Sequence, residues 1–159
     1  MTKVRLQPTS ARARSLQDLL YGLDAVRDST PGRDAVTSLE HSLQVATLAA
    51  KAGADPELCA VALLHDVFHS VATTTHGEAL ALALRDRLTC DRFEILWHHT
   101  AWQHDAIHHT SRQMTYYDQS WFTDACRLGK WDACSFDPHA EIFPFSVLWQ
   151  PVLLLLGDV

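Results

Sequence analysis

The sequence predicts an all-α domain. The chain of 159 residues is long enough for one domain with a substantial core. Its hydrophobic share of 47% and charged share of 20% are those of a folded globular chain. No stretch sustains the two-residue alternation of a half-buried strand, whereas helical spacing of apolar residues recurs. The expected architecture is a bundle of about six to seven helices. It forms one domain over 1–159, with 1–14 as a flexible tail.

The elements follow in order. A first helix is expected from Ser15 to Val26, with Leu16, Leu19, Leu20 and Leu23 on one face. Asp28-Ser-Thr-Pro-Gly32 is a turn cluster. Thr37 with Glu40 three residues on is a capping box, opening a second helix that reaches Ala52 and stops at Gly53. Asp55-Pro56-Glu57 starts a third helix with proline at its first position. Leu58 to Leu64 is so apolar that this helix is expected at the centre. A fourth helix is expected from Thr75 to Leu88 and a fifth from Asp91 to Ile107. A polar connector, His108 to Thr115, leads to a sixth from Gln119 to Cys134. Asp137-Pro138 breaks the chain, and Pro144 to Leu156 closes it with one or two short helices.

Composition excludes several functions. A net charge of −6 argues against a nucleic-acid partner, since phosphate binding needs a basic face. A membrane span needs about 20 apolar residues. The longest apolar run, Phe145 to Leu156, is broken by Gln150 and Pro151. The N-terminus has no apolar stretch of a secretory signal. The four cysteines form no C-x-x-C pair, which argues against structural zinc and for reduced thiols in the cytoplasm. The Trp- and Phe-containing C-terminus offers a face for a homodimer.

Ten histidines are many for this length. His41 lies one turn into the second helix, and His65-Asp66 ends the third. His76 opens the fourth, His98-His99 sit in mid-fifth, and Asp132 comes late in the sixth. Each helix from second to sixth therefore brings a metal-type ligand to its apolar face. Helical bundles build dinuclear sites from inward side chains of several helices. Mixed imidazole and carboxylate ligation suits iron or manganese better than calcium or magnesium.

These residues carry a resemblance. His41, His65-Asp66 and Asp132 resemble the signature of the HD-domain superfamily. Val36-Thr-Ser-Leu-Glu-His41-Ser-Leu-Gln44 and Ala62-Leu-Leu-His-Asp-Val-Phe-His69 are similar to the mixed-valent diiron oxygenases within it. That group includes phosphonate-cleaving enzymes and, more distantly, myo-inositol oxygenase. The resemblance covers Val36 to Asp132 and implies an HD-type bundle. It implies that His41, His65, Asp66 and Asp132 hold one iron, with Asp66 bridging to a second. The second would be completed by His76 and His99, with His98 as the alternative. It implies an Fe(II)/Fe(III) pair, dioxygen as co-substrate and oxidation of a C–H bond in a small polar substrate. His69, Gln44, Asp34 and Gln103 would surround the reacting centre. The runner-up is a metal-dependent phosphohydrolase of the same superfamily.

The chain also departs from the phosphonate enzymes. The positions of their tyrosine and glutamate before the first histidine hold Pro31 and Asp34. Their lysine after the fifth-helix histidine is Gln103, an arginine falls at Gly129, and another lysine falls at Phe136. A dianionic phosphonate needs several charge-assisted contacts, so the resemblance does not carry a plain phosphonate substrate across. Arg112, in the connector, is the remaining candidate for a substrate anion.

Overall fold

The computed structural model describes residues 10–105 and 116–158, and for 101–105 the backbone alone. Among the described residues, seven α-helices run α1 Ala11–Gly22, α2 Ser38–Lys51, α3 Pro56–Leu64, α4 His76–Ala83, α5 Cys90–Asp105, α6 Phe122–Cys134 and α7 Phe145–Leu156. Among the described residues there is no strand, only a single backbone bridge between Arg27 and Thr37. The all-α expectation therefore holds.

Helix α3 is the centre, as its composition requires. Every residue from Leu58 to Leu64 is buried, so no face of it can be polar. It starts where Asp55 accepts the Leu58 N–H at 2.9 Å, with Pro56 at the first helical position. Helices α2, α5 and α7 pack around it. The capping box of α2 forms in both directions: Glu40 N–H donates to Thr37 Oγ1 at 3.1 Å, and Thr37 N–H to Glu40 Oε2 at 2.7 Å. Arg92 of α5 is buried and joins three helices, meeting Asp55 at the head of α3 and Asp124 of α6.

Several boundaries differ from expectation. Helix α1 begins at Ala11, inside the expected tail, because Ser10 caps it. The Ser10 hydroxyl accepts from Ala13 N–H at 3.0 Å and donates to Asp158 at 2.6 Å, fastening the start of the bundle to its end. Helix α4 stops at Ala83, and residues 84–88 continue as turns. Thr89 then donates twice to Glu57, at 2.6 and 3.1 Å, which pins the entry to α5 against the first turn of α3. Helix α7 runs unbroken through Pro151. The carbonyl that loses its partner there belongs to Val147, which is exposed and can be met by water. Among the described residues no helix is long and apolar enough to cross a membrane.

Candidate metal centre

Five helices deliver six ligand-type side chains to one buried point. The capped first turn of α2 carries His41. His65 caps the C-terminal end of α3, and Asp66 follows in the turn. His76 is the first residue of α4, His99 lies on α5, and Asp132 on α6. All six are at most 9% exposed.

Asp66 is the hub. Its Oδ2 lies 3.6 Å from His41 Nε2 and 3.4 Å from His65 Nε2. Its Oδ1 lies 3.1 Å from His76 Nε2 and 3.6 Å from His99 Nε2. Each carboxylate oxygen is thus flanked by its own pair of imidazoles. Asp132 joins the first pair, with Oδ1 3.1 Å from His41 Nε2. Two groups have ligand atoms close enough to share a metal ion: His41, His65 and Asp132, and His65, Asp66 and His99.

The backbone fixes the tautomers. His41 Nδ1 lies 2.9 Å from the Ser135 carbonyl, His65 Nδ1 2.8 Å from Ala62, and His76 Nδ1 3.0 Å from Thr73. A carbonyl only accepts, so each Nδ1 carries the proton and donates it. In the neutral rings the Nε2 lone pairs then face a carboxylate that is itself an acceptor. Despite the short distances, His65 Nε2, His76 Nε2 and Asp66 Oδ1 are buried with no hydrogen bond of acceptable geometry. Orphaned buried polar atoms are costly. A cation between imidazole and carboxylate resolves all three, and the histidine–carbonyl contacts are those that orient metal ligands. The donor set fits a metal.

Without a cation, protons carry the charge. Burial pushes His65 down, but the carboxylates of Asp66 and Asp132 overcome this and raise it to about 9. His76 is also raised: burial opposes, and Asp66 prevails. Burial holds His99 below its ordinary value. Burial works to raise both carboxyls, but the surrounding imidazoles hold Asp66 well below the usual carboxylate range and lower Asp132 as well. Two anions therefore persist in the core and attract a cation.

Close packing of α4 against α5 completes the cluster. A Cβ at Gly77 would collide with the Leu96 carbonyl oxygen and stand 3.2 Å from His99 Cβ. The missing side chain is what lets His76 approach His99. A glycine inside a helix costs about 1 kcal/mol relative to alanine, so Gly77 directly after His76 was a readable signal of close packing. Sequence reasoning passed over it.

The remaining expected side chains scatter. His98 points elsewhere than its neighbour: its Nε2 lies 3.3 Å from Glu94, and its ring stacks on Trp121 at 5.3 Å. His69 is half-buried, with its ring 5.1 Å from that of His76. Gln44, expected at the reacting centre, instead clasps the chain after α6. Its amide donates to the Asp137 carbonyl at 2.8 Å and accepts the Asp137 N–H at 3.3 Å. Both ends of the amide are thus committed to backbone. Asp34 is exposed in the turn before α2, and only its backbone carbonyl is engaged, by Arg27 at 3.0 Å. The side chain of Gln103, and Arg112, lie outside the described residues. Phe136, which sequence reasoning saw only as a lost lysine, stacks on His41 with ring centres 4.4 Å apart.

No curated protein matches the chain. A family model described as HD domain matches residues 38–132, the span that contains all six converging side chains. HD domains mark metal-dependent enzymes, and the histidine–aspartate cluster is where this one could hold its metal. With more than half of its length matched, the chain belongs to the HD-domain family.

Proposed function

We propose that the protein is a non-haem diiron oxygenase that oxidises a C–H bond of a small polar substrate. The observation that supports this reading is the environment of Asp66. Its two oxygens lie 3.1–3.6 Å from two separate pairs of imidazole nitrogens, so Asp66 would be available to both ions of a pair. His41, His65 and Asp132 would hold one iron, and His76 and His99 the other. An imidazole-rich set favours iron over magnesium.

When bound, the iron pair would supply activation of dioxygen and removal of hydrogen from the substrate carbon. The chain's own part is orientation and shielding. The Ser135, Ala62 and Thr73 carbonyls hold three imidazoles in the ligating tautomer. The six side chains of the cluster are at most 9% exposed, so the chain itself keeps bulk water from them. His69, beside His76, would hold a proton or a substrate hydroxyl at the mouth. The proposed location is the cytoplasm, where free thiols such as Cys90 and Cys134 stay reduced.

Family membership favours a second reading, a metal-dependent phosphohydrolase. One preparation separates the two. Protein purified without oxygen and supplied with iron should take up two ions and show a coupled pair by Mössbauer and EPR spectroscopy. It should also consume oxygen with a subset of hydroxylated or aminated substrates. Uptake of magnesium alone, or ester hydrolysis indifferent to oxygen, would replace the oxygenase reading with the second.

A further inference from the structure

The segment between α1 and α2 borders both halves of the cluster. Its base is closed by the bridge of Arg27 with Thr37 and by Ser38 N–H donating to the Val26 carbonyl at 2.8 Å. From this segment, Arg33 lies over the ring of Phe136, 4.6 Å from its centre. Phe136 in turn stacks on His41. From the same segment, Asp28 lies within electrostatic reach of His69, which packs on His76. His41 and His76 flank opposite oxygens of Asp66. One short segment therefore reaches towards both ends of the hub.

What the cluster shows to solvent is its carboxylates. The side chains of Asp66 and Asp132 are 12% and 9% exposed, against 0% and 1% for His65 and His76. Arg33 is 41% exposed, and its acidic neighbour Asp28 stands 3.8 Å away, long for an ion pair. Asp28 accepts the Thr30 N–H through Oδ1 at 2.7 Å, and its Oδ2 is the oxygen that faces Arg33. Among the described residues the Arg33 side chain makes no hydrogen bond. A guanidinium stacked on a ring uses its face and keeps its in-plane N–H fork for an oxyanion. Arg92 and Arg127 are committed to Asp124, and Lys51 to Glu141.

We propose that Arg33 anchors an oxyanion of the substrate, carboxylate or phosphoryl, at the mouth of the cluster. Phe136, which touches both Arg33 and His41, is its positioning residue. This inference rests on the metal-enzyme reading of the site, and it narrows the small polar substrate to an acidic one.

The test is calorimetric titration of the iron-loaded protein with inorganic phosphate, with malonate and with neutral glycerol. Wild type, Arg33→Gln and Arg33→Lys are compared, each with its iron content measured by atomic absorption. Arg33 is a partly exposed side chain and not one of the six ligand-type residues, so both variants should fold and load iron as wild type does. The expected result is binding of phosphate or malonate but not glycerol, weakened about 10- to 100-fold in Arg33→Gln. Arg33→Lys should fall between, because it keeps the charge and loses the fork. The preferred anion identifies phosphoryl or carboxylate as the source. Equal oxyanion binding by wild type and Arg33→Gln at equal iron content overturns the proposal, as does no oxyanion binding by the loaded wild type. If the protein takes up no metal, that failure belongs to the metal reading alone. The metal-free chain then decides: binding sensitive to Arg33→Gln supports the anchor, and insensitive or absent binding overturns it.

Discussion

Replacing Gly77 with alanine tests how the second half of the cluster is assembled. The added Cβ would press into the Leu96 carbonyl oxygen, and it would stand 3.2 Å from His99 Cβ and 3.3 Å from Thr100 Oγ1. The first obstacle is helix backbone, which cannot swing aside like a side-chain tip. Helices α4 and α5 must therefore separate. Overpacking of this kind costs about 1–3 kcal/mol, against which alanine returns about 1 kcal/mol of helix propensity. The net loss, up to about 2 kcal/mol, lowers Tm by at most about 4–8 °C for a chain of this size. The separation also moves His76, the neighbour of Gly77, away from His99. His41, His65 and Asp132 stand on α2, α3 and α6 and are spared. Metal stoichiometry after anaerobic reconstitution should then fall from two towards one, with the remaining ion tightly held. Scanning calorimetry of the metal-free protein and metal analysis of the loaded one read the two effects. An alanine variant that melts like wild type and still binds two ions would refute the close-approach argument.

Other perturbations probe the hub and its supports. Asp66→Ala removes the carboxylate shared by four imidazoles, so dinuclear binding should disappear while the helical circular dichroism persists; two ions per chain in this variant would disprove the bridging role. Gln44→Ala should cost about 1–2 kcal/mol through two lost bonds to Asp137, and activity per bound metal should be unchanged. If instead turnover per metal collapses, Gln44 acts at the reacting centre after all. In the metal-free protein, the charged forms of His65 and His76 stabilise the fold. Their folded values are raised, so this contribution is whole below about pH 6.5 and, for His65, fades as the pH rises to about 9. The carboxylates of Asp66 and Asp132 work at the other end, with folded values lowered and stability lost as the pH falls below about 4. His99 is lowered and so adds stability only as the pH rises to about 6.5, and it does not offset the alkaline loss. Thermal melts without metal should therefore decline between about pH 6.5 and 9, while metal affinity rises over the same range as protons leave the nitrogens. A flat melting profile there would contradict the protonated-imidazole account.

How much of this was legible depends on the kind of information each feature needs. The helices and the identity of the converging side chains could be read because both rest on residue type and spacing. His99 could even have been separated from His98 on periodicity alone. Arg92, Ile95, Leu96, His99 and Thr100 are all buried and recur at three- and four-residue steps along one stripe of α5. His98 falls on the adjacent stripe, four residues after Glu94, where the pair meets. Gln44 misled because it shares the His41 stripe, one turn later, and a glutamine there is equally suited to a ligand or to backbone. Only the path of the chain after α6 decides, and that path puts Asp137 N–H and carbonyl opposite the amide. The same path sets the Ser135 carbonyl against His41 Nδ1. Carbonyls carry no side-chain signal, so the groups that hold these histidines in one tautomer could not be seen in the sequence. Arg33 is a harder case. A cation in a turn cluster reads as solvated surface, and its meaning depends on Phe136, more than a hundred residues away, lying between it and His41. An anchor supplied from the segment before α2 would fix the direction from which an acidic substrate is held.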